Sequence, residues 1–145
     1  YLYVNKIISK YKLSEGYYNK IKTKIIDINK LNKKLINEIK LIQKLNKNNR
    51  NKKSDKIAGI IIDSHLSHYL PRKYVDFCIV TKCDIQELNK RLKKKKFHES
   101  KIKENLEAEI FDVCFNEAKE RKHKIIAIGT TKGFNINGLI KKLGG

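Results

Sequence analysis

Three short segments of this chain carry residue types that could do chemistry. The first is Asp63-Ser64-His65, with His68 three residues further on. A carboxylate that ends an apolar run can hold a phosphate-bound Mg²⁺ through water. An imidazole two residues later can orient a water or a phosphate oxygen. The bland use of the same residues is Asp63 as a turn cap and both histidines as surface polar groups. The second segment is Arg91-Leu-Lys-Lys-Lys-Lys-Phe97-His98, a dense cationic stretch between two helical patterns. It suits closure over phosphates and neutralisation of transferred charge, or it is a solvated lysine run in a lysine-rich chain. The third is Gly129-Thr130-Thr131-Lys132-Gly133. Its backbone can contact a base or a phosphate, and a plain strand–helix turn fits it equally well.

The flanking patterns say what must position these segments. Tyr1–Val4 reads as a short strand or a strand end, 5–13 as helical, and Gly16-Tyr17-Tyr18 as a turn. Behind Asp27, a plausible cap, Ile28, Leu31, Leu35, Ile39 and Ile42 fall three and four apart, which predicts an amphipathic helix. Asn46–Asp55 is polar and low in complexity, as a solvated loop would be. Ile57–Asp63, Val75–Thr81 and Lys124–Gly129 are runs rich in β-branched residues, and they predict strands buried on both faces of a parallel sheet. Helices are expected over 85–94, over 99–121 with Ile102, Leu106, Ile110, Val113 and Ala118 toward the core, and over 135–143. Strands alternating with helices imply a three-layer α/β/α sandwich in a single domain, 1–145. In open sheets of this kind ligands bind beyond the carboxyl ends of the strands, where all three segments lie.

Composition narrows the class. The chain has 145 residues, 34 Lys+Arg against 15 Asp+Glu, a net charge of +19 and 40% hydrophobic residues. That apolar share supports a folded core and argues against disorder throughout. No stretch approaches a membrane span, and the first residues do not read as a signal peptide. The charge is either drift toward Lys, Asn and Ile or a surface that meets polyanions such as RNA. Seven of the 15 acids fall within 99–120, so one helical region is locally acidic beside the cationic run. Cys78, Cys83 and Cys114 lack CxxC spacing. They read as reduced, mostly buried thiols and not as a metal site.

The order of these motifs resembles the archaeal adenylate kinase family and its eukaryotic counterpart, the nuclear adenylate kinase isoenzyme linked to small ribosomal subunit maturation. Leu13-Ser-Glu-Gly-Tyr17 through Ile25-Ile-Asp27 resembles the end of that family's nucleoside-monophosphate-binding region. Ile60-Ile-Ile-Asp63-Ser-His65 resembles its Walker-B-type strand with Asp-x-His. Arg91–Phe97, continuing through Lys101–Ile110, resembles its short lid and the following helix. The resemblance implies a P-loop nucleoside monophosphate kinase-like fold, with 3–26 binding the monophosphate (Gly16, Tyr17) and 94–104 forming the lid. It implies Asp63 as the acid linked to Mg²⁺ through water, and His65 as the histidine that tunes phosphoryl transfer or ATP hydrolysis. Arg91 and Lys95 are implied at ATP, and Thr130, Thr131 and Lys132 in the turn near adenine. The family's lid arginine falls on Lys95 and its neighbouring glycine on Lys96.

The activity implied is reversible Mg-dependent phosphoryl transfer between ATP and AMP, with side ATPase activity, in a cytoplasmic protein that is nuclear if eukaryotic. A small-subunit ribosomal protein and ribosomal RNA are the implied macromolecular partners. A binding role in ribosome assembly without catalysis is the alternative. No G-x-x-x-x-G-K-[ST] run occurs among the 145 residues, so the family's first strand, P-loop and following helix are expected to be missing. In this fold that strand is central, between those at 57–63 and 75–81. Poor folding or failure to bind ATP is expected of these residues by themselves.

Overall fold

The apolar spacing behind Asp27 does build a helix, α2 (Ile28–Asn48). The computed structural model describes residues 1–19, 23–48 and 59–144. Asp27 caps α2: its Oδ1 accepts from the amides of Asn29 at 2.8 Å and Lys30 at 3.1 Å. Those bonds, the Lys30 amide foremost, hold its carboxyl below the usual range. Leu31, Leu35 and Ile39 are buried along one face of α2, and α1 (Val4–Lys10), which packs against α2, buries Val4, Ile7 and Ile8. Each such side chain contributes about 2 kcal/mol by leaving water.

A polar clamp joins the same two helices. Glu38 of α2 accepts from the Tyr11 hydroxyl at 2.7 Å and the Lys10 ammonium at 3.0 Å. Both bonds favour the carboxylate, Tyr11 most, and depress its pKa. A depressed folded pKa means stability that is complete above the ordinary Glu range and lost as pH falls through the lower folded value. Glu38→Gln should therefore cost about 1 kcal/mol at pH 7 and far less at pH 3. Urea midpoints at the two pH values check this, and an equal loss at both would refute it.

The rest of the first unit (Tyr1–Tyr18 and Thr23–Leu70) departs from the sequence expectation in three places. Gly16-Tyr17-Tyr18, expected as a turn, lies in β2 (Ser14–Tyr18), antiparallel to β3 (Thr23–Ile26). The register slips between Ser14 and Gly16, a one-residue bulge at Glu15 that the Ser14 hydroxyl spans by donating to the Gly16 carbonyl at 3.1 Å. Cross-strand pairing of β-favouring tyrosines overrides the turn signal of the glycine. The strand expected over 57–63 is assigned only at β4 (Ile62–Asp63), parallel to β1 (Leu2–Tyr3), with Tyr3 opposite Asp63. Residues 57 and 58 lie outside the described residues. The expected loop from Asn46 starts later, since α2 runs through Asn48, and 49–55 are outside the described residues.

The second unit, from Pro71 onward, holds β5 (Cys78–Lys82) and β6 (Ile125–Gly129), parallel and in register over their whole length. β5 starts three residues later than expected, at Cys78, the first residue paired with β6, and ahead of it Arg72–Tyr74 forms a 3₁₀ turn closed by the Val75 amide on the Arg72 carbonyl at 3.1 Å. Helices α3 (Ile85–Lys94), α4 (Glu99–Ile110), α5 (Val113–Glu120) and α6 (Ile136–Lys142) follow. Asp84 and Asn135 cap α3 and α6 with side-chain oxygens, and His98 caps α4 through Nδ1.

The single helix expected over 99–121 is broken at Asp112, which sits in the left-handed region at φ 53°. Lys82 at the end of β5 pairs with Asp112 and, at 3.4 Å, with Glu109. Ile102 and Ala118 reach the core as expected, but Ile110 is 59% and Val113 36% exposed, because the break turns both outward. Nor are the strands buried on both faces: Ile61 is 64% and Ile79 42% exposed. Among the described residues β4 pairs with β1 alone and β5 with β6 alone, so each parallel pair keeps edges of unpaired N–H and C=O groups.

Three helices end the same way. Lys12, Lys96 and Lys122 have φ of 49°, 55° and 59°. The next residue's amide reaches back to Ile8 (3.0 Å), Leu92 (3.5 Å) and Ala118 (3.1 Å), the glycine-type helix ending. A lysine Cβ is strained there. Lys96→Gly, at the position where the resembled family has glycine, should raise stability by about 1 kcal/mol. An unchanged melting temperature would sink that expectation.

Candidate functional site

In the first unit the candidate group is Asp63. The parallel pairing of β4 with β1 carries its carboxylate to the carboxyl end of the strand, where it is exposed. Its Oδ2 accepts the Tyr1 hydroxyl at 2.7 Å. That bond pushes the Tyr1 pKa up to about 12, since ionisation would set phenolate against carboxylate. The Tyr1 and Tyr3 rings lie 4.4 Å apart, centroid to centroid. The turn after β4 is closed by Ser64 and not by Asp63. The Ser64 hydroxyl accepts from the Leu66 amide at 3.0 Å, and its carbonyl accepts from the Ser67 hydroxyl at 2.8 Å. Asp63 is therefore not spent as a cap. His65 is exposed, while His68 is buried, its ring 4.3 Å from that of Tyr69.

Gly16 and Tyr17 sit on the bulged strand β2, with Tyr17 half exposed. Glu15 at the bulge pairs with Lys30, which also approaches Asp27 at 3.8 Å. This ties the hairpin to the start of α2.

In the second unit Arg91 is drawn to the turn after β6. Its Nη2 donates to the carbonyls of Thr130 at 2.9 Å and Thr131 at 3.0 Å, and its Nε donates to Glu87 at 2.9 Å. Lys95 is the exposed C-cap of α3, and Lys93–His98 are all exposed. Lys101 Nζ stands 5.1 Å over the Phe97 ring. Lys132 is exposed at the tip of its turn. Cys78 and Cys114 are free, half-buried thiols whose pKa values burial pushes up, which fits inert reduced thiols.

Sequence reasoning missed Tyr1 as the partner of Asp63, since nothing in YLYV marks a contact 62 residues away. It also missed Glu87, although Asp84-x-x-Glu87 and Glu87–Arg91 were available as helix-cap and i,i+4 spacings. Among the described residues no group of three His, Cys, Asp or Glu side chains could hold a metal ion by itself. A lone, exposed Asp63 with one oxygen on Tyr1 fits contact through water with a nucleotide-bound Mg²⁺ better than direct chelation.

Each unit holds a parallel strand pair with helices between its strands, an α/β character that suits a P-loop kinase-like fold. The sequence profile described as AAA domain matches residues 1–112, and the chain belongs to that family. A protein of Methanocaldococcus jannaschii named "Putative adenylate kinase" is 32% identical over 122 residues, 84% of this chain and 59% of that protein. A protein of the same name from Methanosarcina barkeri is 43% identical over 72 residues, 50% of this chain and 37% of its own length. The "Adenylate kinase isoenzyme 6 homolog" of Caenorhabditis elegans is 38% identical over 63 residues, 43% of this chain and 35% of that protein. The chain thus spans no more than 59% of these relatives' lengths. Among the described residues no helix is long and apolar enough to cross a membrane.

Proposed function

We propose that the activity is reversible phosphoryl transfer from Mg-ATP to AMP. The observation that carries the reading is Asp63-x-His65, exposed beyond the carboxyl end of a parallel strand, with its following turn closed by Ser64. The names of the relatives support it. In this reading Asp63 holds the Mg²⁺ of the nucleotide through water, and His65 orients a water or a phosphate oxygen. Lys95 and its neighbours at the end of α3 neutralise charge on the triphosphate. Thr130, Thr131 and Lys132 face the donor base, and Gly16 and Tyr17 the monophosphate. Catalysis comes from positioning and charge neutralisation, without a covalent intermediate. When the lid region, 94–104, closes, it keeps water from competing with AMP.

The test is ADP formation from ATP plus AMP, followed by ³¹P NMR. Phosphate release without ADP gain from AMP would replace the transferase by an ATPase. Lysine at position 95 lacks the planar fork that grips phosphate in a bidentate way. Lys95→Arg should tighten ATP about 3- to 10-fold, and no gain in apparent affinity would count against its place at ATP.

A net charge of +19 and the exposed Lys93–Lys96 favour a second role, binding to RNA, which the family resemblance extends to ribosomal RNA and a small-subunit ribosomal protein. RNA binding that weakens with salt and survives Asp63→Ala with His65→Ala would separate this role from the enzyme.

A further inference from the structure

Arg91 turns its Nη2 donors onto backbone. Both of its contacts through Nη2 are to consecutive carbonyls, those of Thr130 and Thr131. The Glu87 carboxylate, one helical turn earlier, takes the Nε–H and aims the fork. The same turn is held at the other end of α3, where the Asp84 amide donates to Thr131 Oγ1 at 2.9 Å. The Thr130 amide and hydroxyl both reach the Lys82 carbonyl, at 2.8 and 3.0 Å. Gly133, at φ 84°, closes the turn on the Thr130 carbonyl at 3.4 Å. Residues 130–133 are therefore fastened to α3 at two points seven residues apart, about 10 Å along the helix axis. The far end of that helix carries the exposed lysines 93–95.

We propose that Arg91 is a positioning residue. By holding the carbonyls of Thr130 and Thr131 it fixes the turn to α3 and so sets which purine base the turn accepts. This rests on the reading of 130–133 as the turn at the donor base. Adenine and guanine differ by an exchange of donor and acceptor on one ring edge. A backbone that cannot rotate its peptides presents one pattern only, and a base with the opposite pattern leaves buried polar groups unpaired. A turn freed from Arg91 can adapt to either. Lysine cannot replace the arginine: it keeps the charge but has no Nε–H for Glu87 to aim, and its head is a mobile point charge.

The exchange measurement uses the full 145-residue chain. Amide hydrogen exchange of peptides covering 130–134 is measured in the unsubstituted protein, in Arg91→Lys, in Arg91→Gln and in Glu87→Gln. The two Arg91 variants should exchange about tenfold faster there, with Glu87→Gln between them and the parent. Fluorescent ATP and GTP analogues and inorganic tripolyphosphate are then titrated into the chain extended ahead of Tyr1 by a strand, a GxxxxGK[ST] loop and a helix, which supply the phosphate cradle. The preference between the two bases should collapse toward unity in Arg91→Lys, while tripolyphosphate affinity stays within about twofold. Unchanged exchange in both Arg91 variants overturns the clamp. Faster exchange with base preference intact overturns the selectivity role. If that extended protein, unsubstituted, binds neither analogue, the proposed phosphotransferase reading falls and takes the selectivity role with it, while exchange still decides the clamp. Arg91→Lys keeps the measurement decisive should Arg91→Gln fail to fold.

Discussion

Purified by itself, the 145-residue chain should bind Mg-ATP no tighter than millimolar. Supplying a strand, a GxxxxGK[ST] loop and a helix ahead of Tyr1 should tighten binding at least about 100-fold. The reason is a count of donors. Phosphates are gripped by a cradle of backbone N–H groups and a lysine, each charge-assisted bond contributing about 1.5–3 kcal/mol. No run of that kind occurs among these residues. What they do offer is one carboxylate on a strand end, exposed lysines on a helix end and a backbone turn. None of these wraps a triphosphate. The strand pairings point the same way. Among the described residues β1–β4 and β5–β6 are two-stranded parallel pairs with open edges, and parallel strands are stable when flanked and covered. Equilibrium dialysis of ATP, with a urea melt of both proteins, measures the two effects together. Micromolar ATP binding with cooperative unfolding by the unextended chain would refute the expectation.

In the extended protein, Asp63→Asn should lower the rate of ADP formation by about 100- to 1,000-fold while leaving the fold intact. The isosteric amide still presents an oxygen to the Tyr1 hydroxyl, so the 2.7 Å contact survives. What disappears is the full negative charge that, in the proposed function, faces the nucleotide's Mg²⁺ across one water. At about 4 Å and an effective dielectric near 20, a pair of unit charges is worth about 4 kcal/mol, enough for that loss. Tyr1→Phe is the control. It removes only the hydroxyl that orients the carboxylate and should cost no more than about tenfold. If Asp63→Asn and Tyr1→Phe cost the same, Asp63 acts through its hydrogen bond and not its charge, and the Mg²⁺ role is wrong. Mg²⁺ titration of both variants gives a second reading, because only the Asp63 change should raise the Mg²⁺ requirement.

Much of the arrangement was legible in the residues because it is local. Asp27 before a three-and-four apolar spacing announced α2 and its cap, and three β-branched runs announced strands of a parallel α/β fold. Asp63-x-His65 could be read as a candidate site from its place at the end of an apolar run. The errors were made where a distant partner outvoted local preference. Gly16-Tyr17-Tyr18 looks like a turn until Thr23–Ile26 pairs with it. Residues 99–121 look like one helix until Lys82, on another element, draws in Asp112 and Glu109.

Spacing and residue type, which depend on neighbours within a turn or two, determined the element types, the acid at the strand end and the cationic helix end. Tertiary structure decided what each group is free to do. It placed the Tyr1 hydroxyl on Asp63 and turned Arg91 onto the carbonyls of Thr130 and Thr131. Those contacts join residues 62 and about 40 positions apart in the chain. No periodicity encodes them, because side chains meet across elements only after the backbone has brought the elements together.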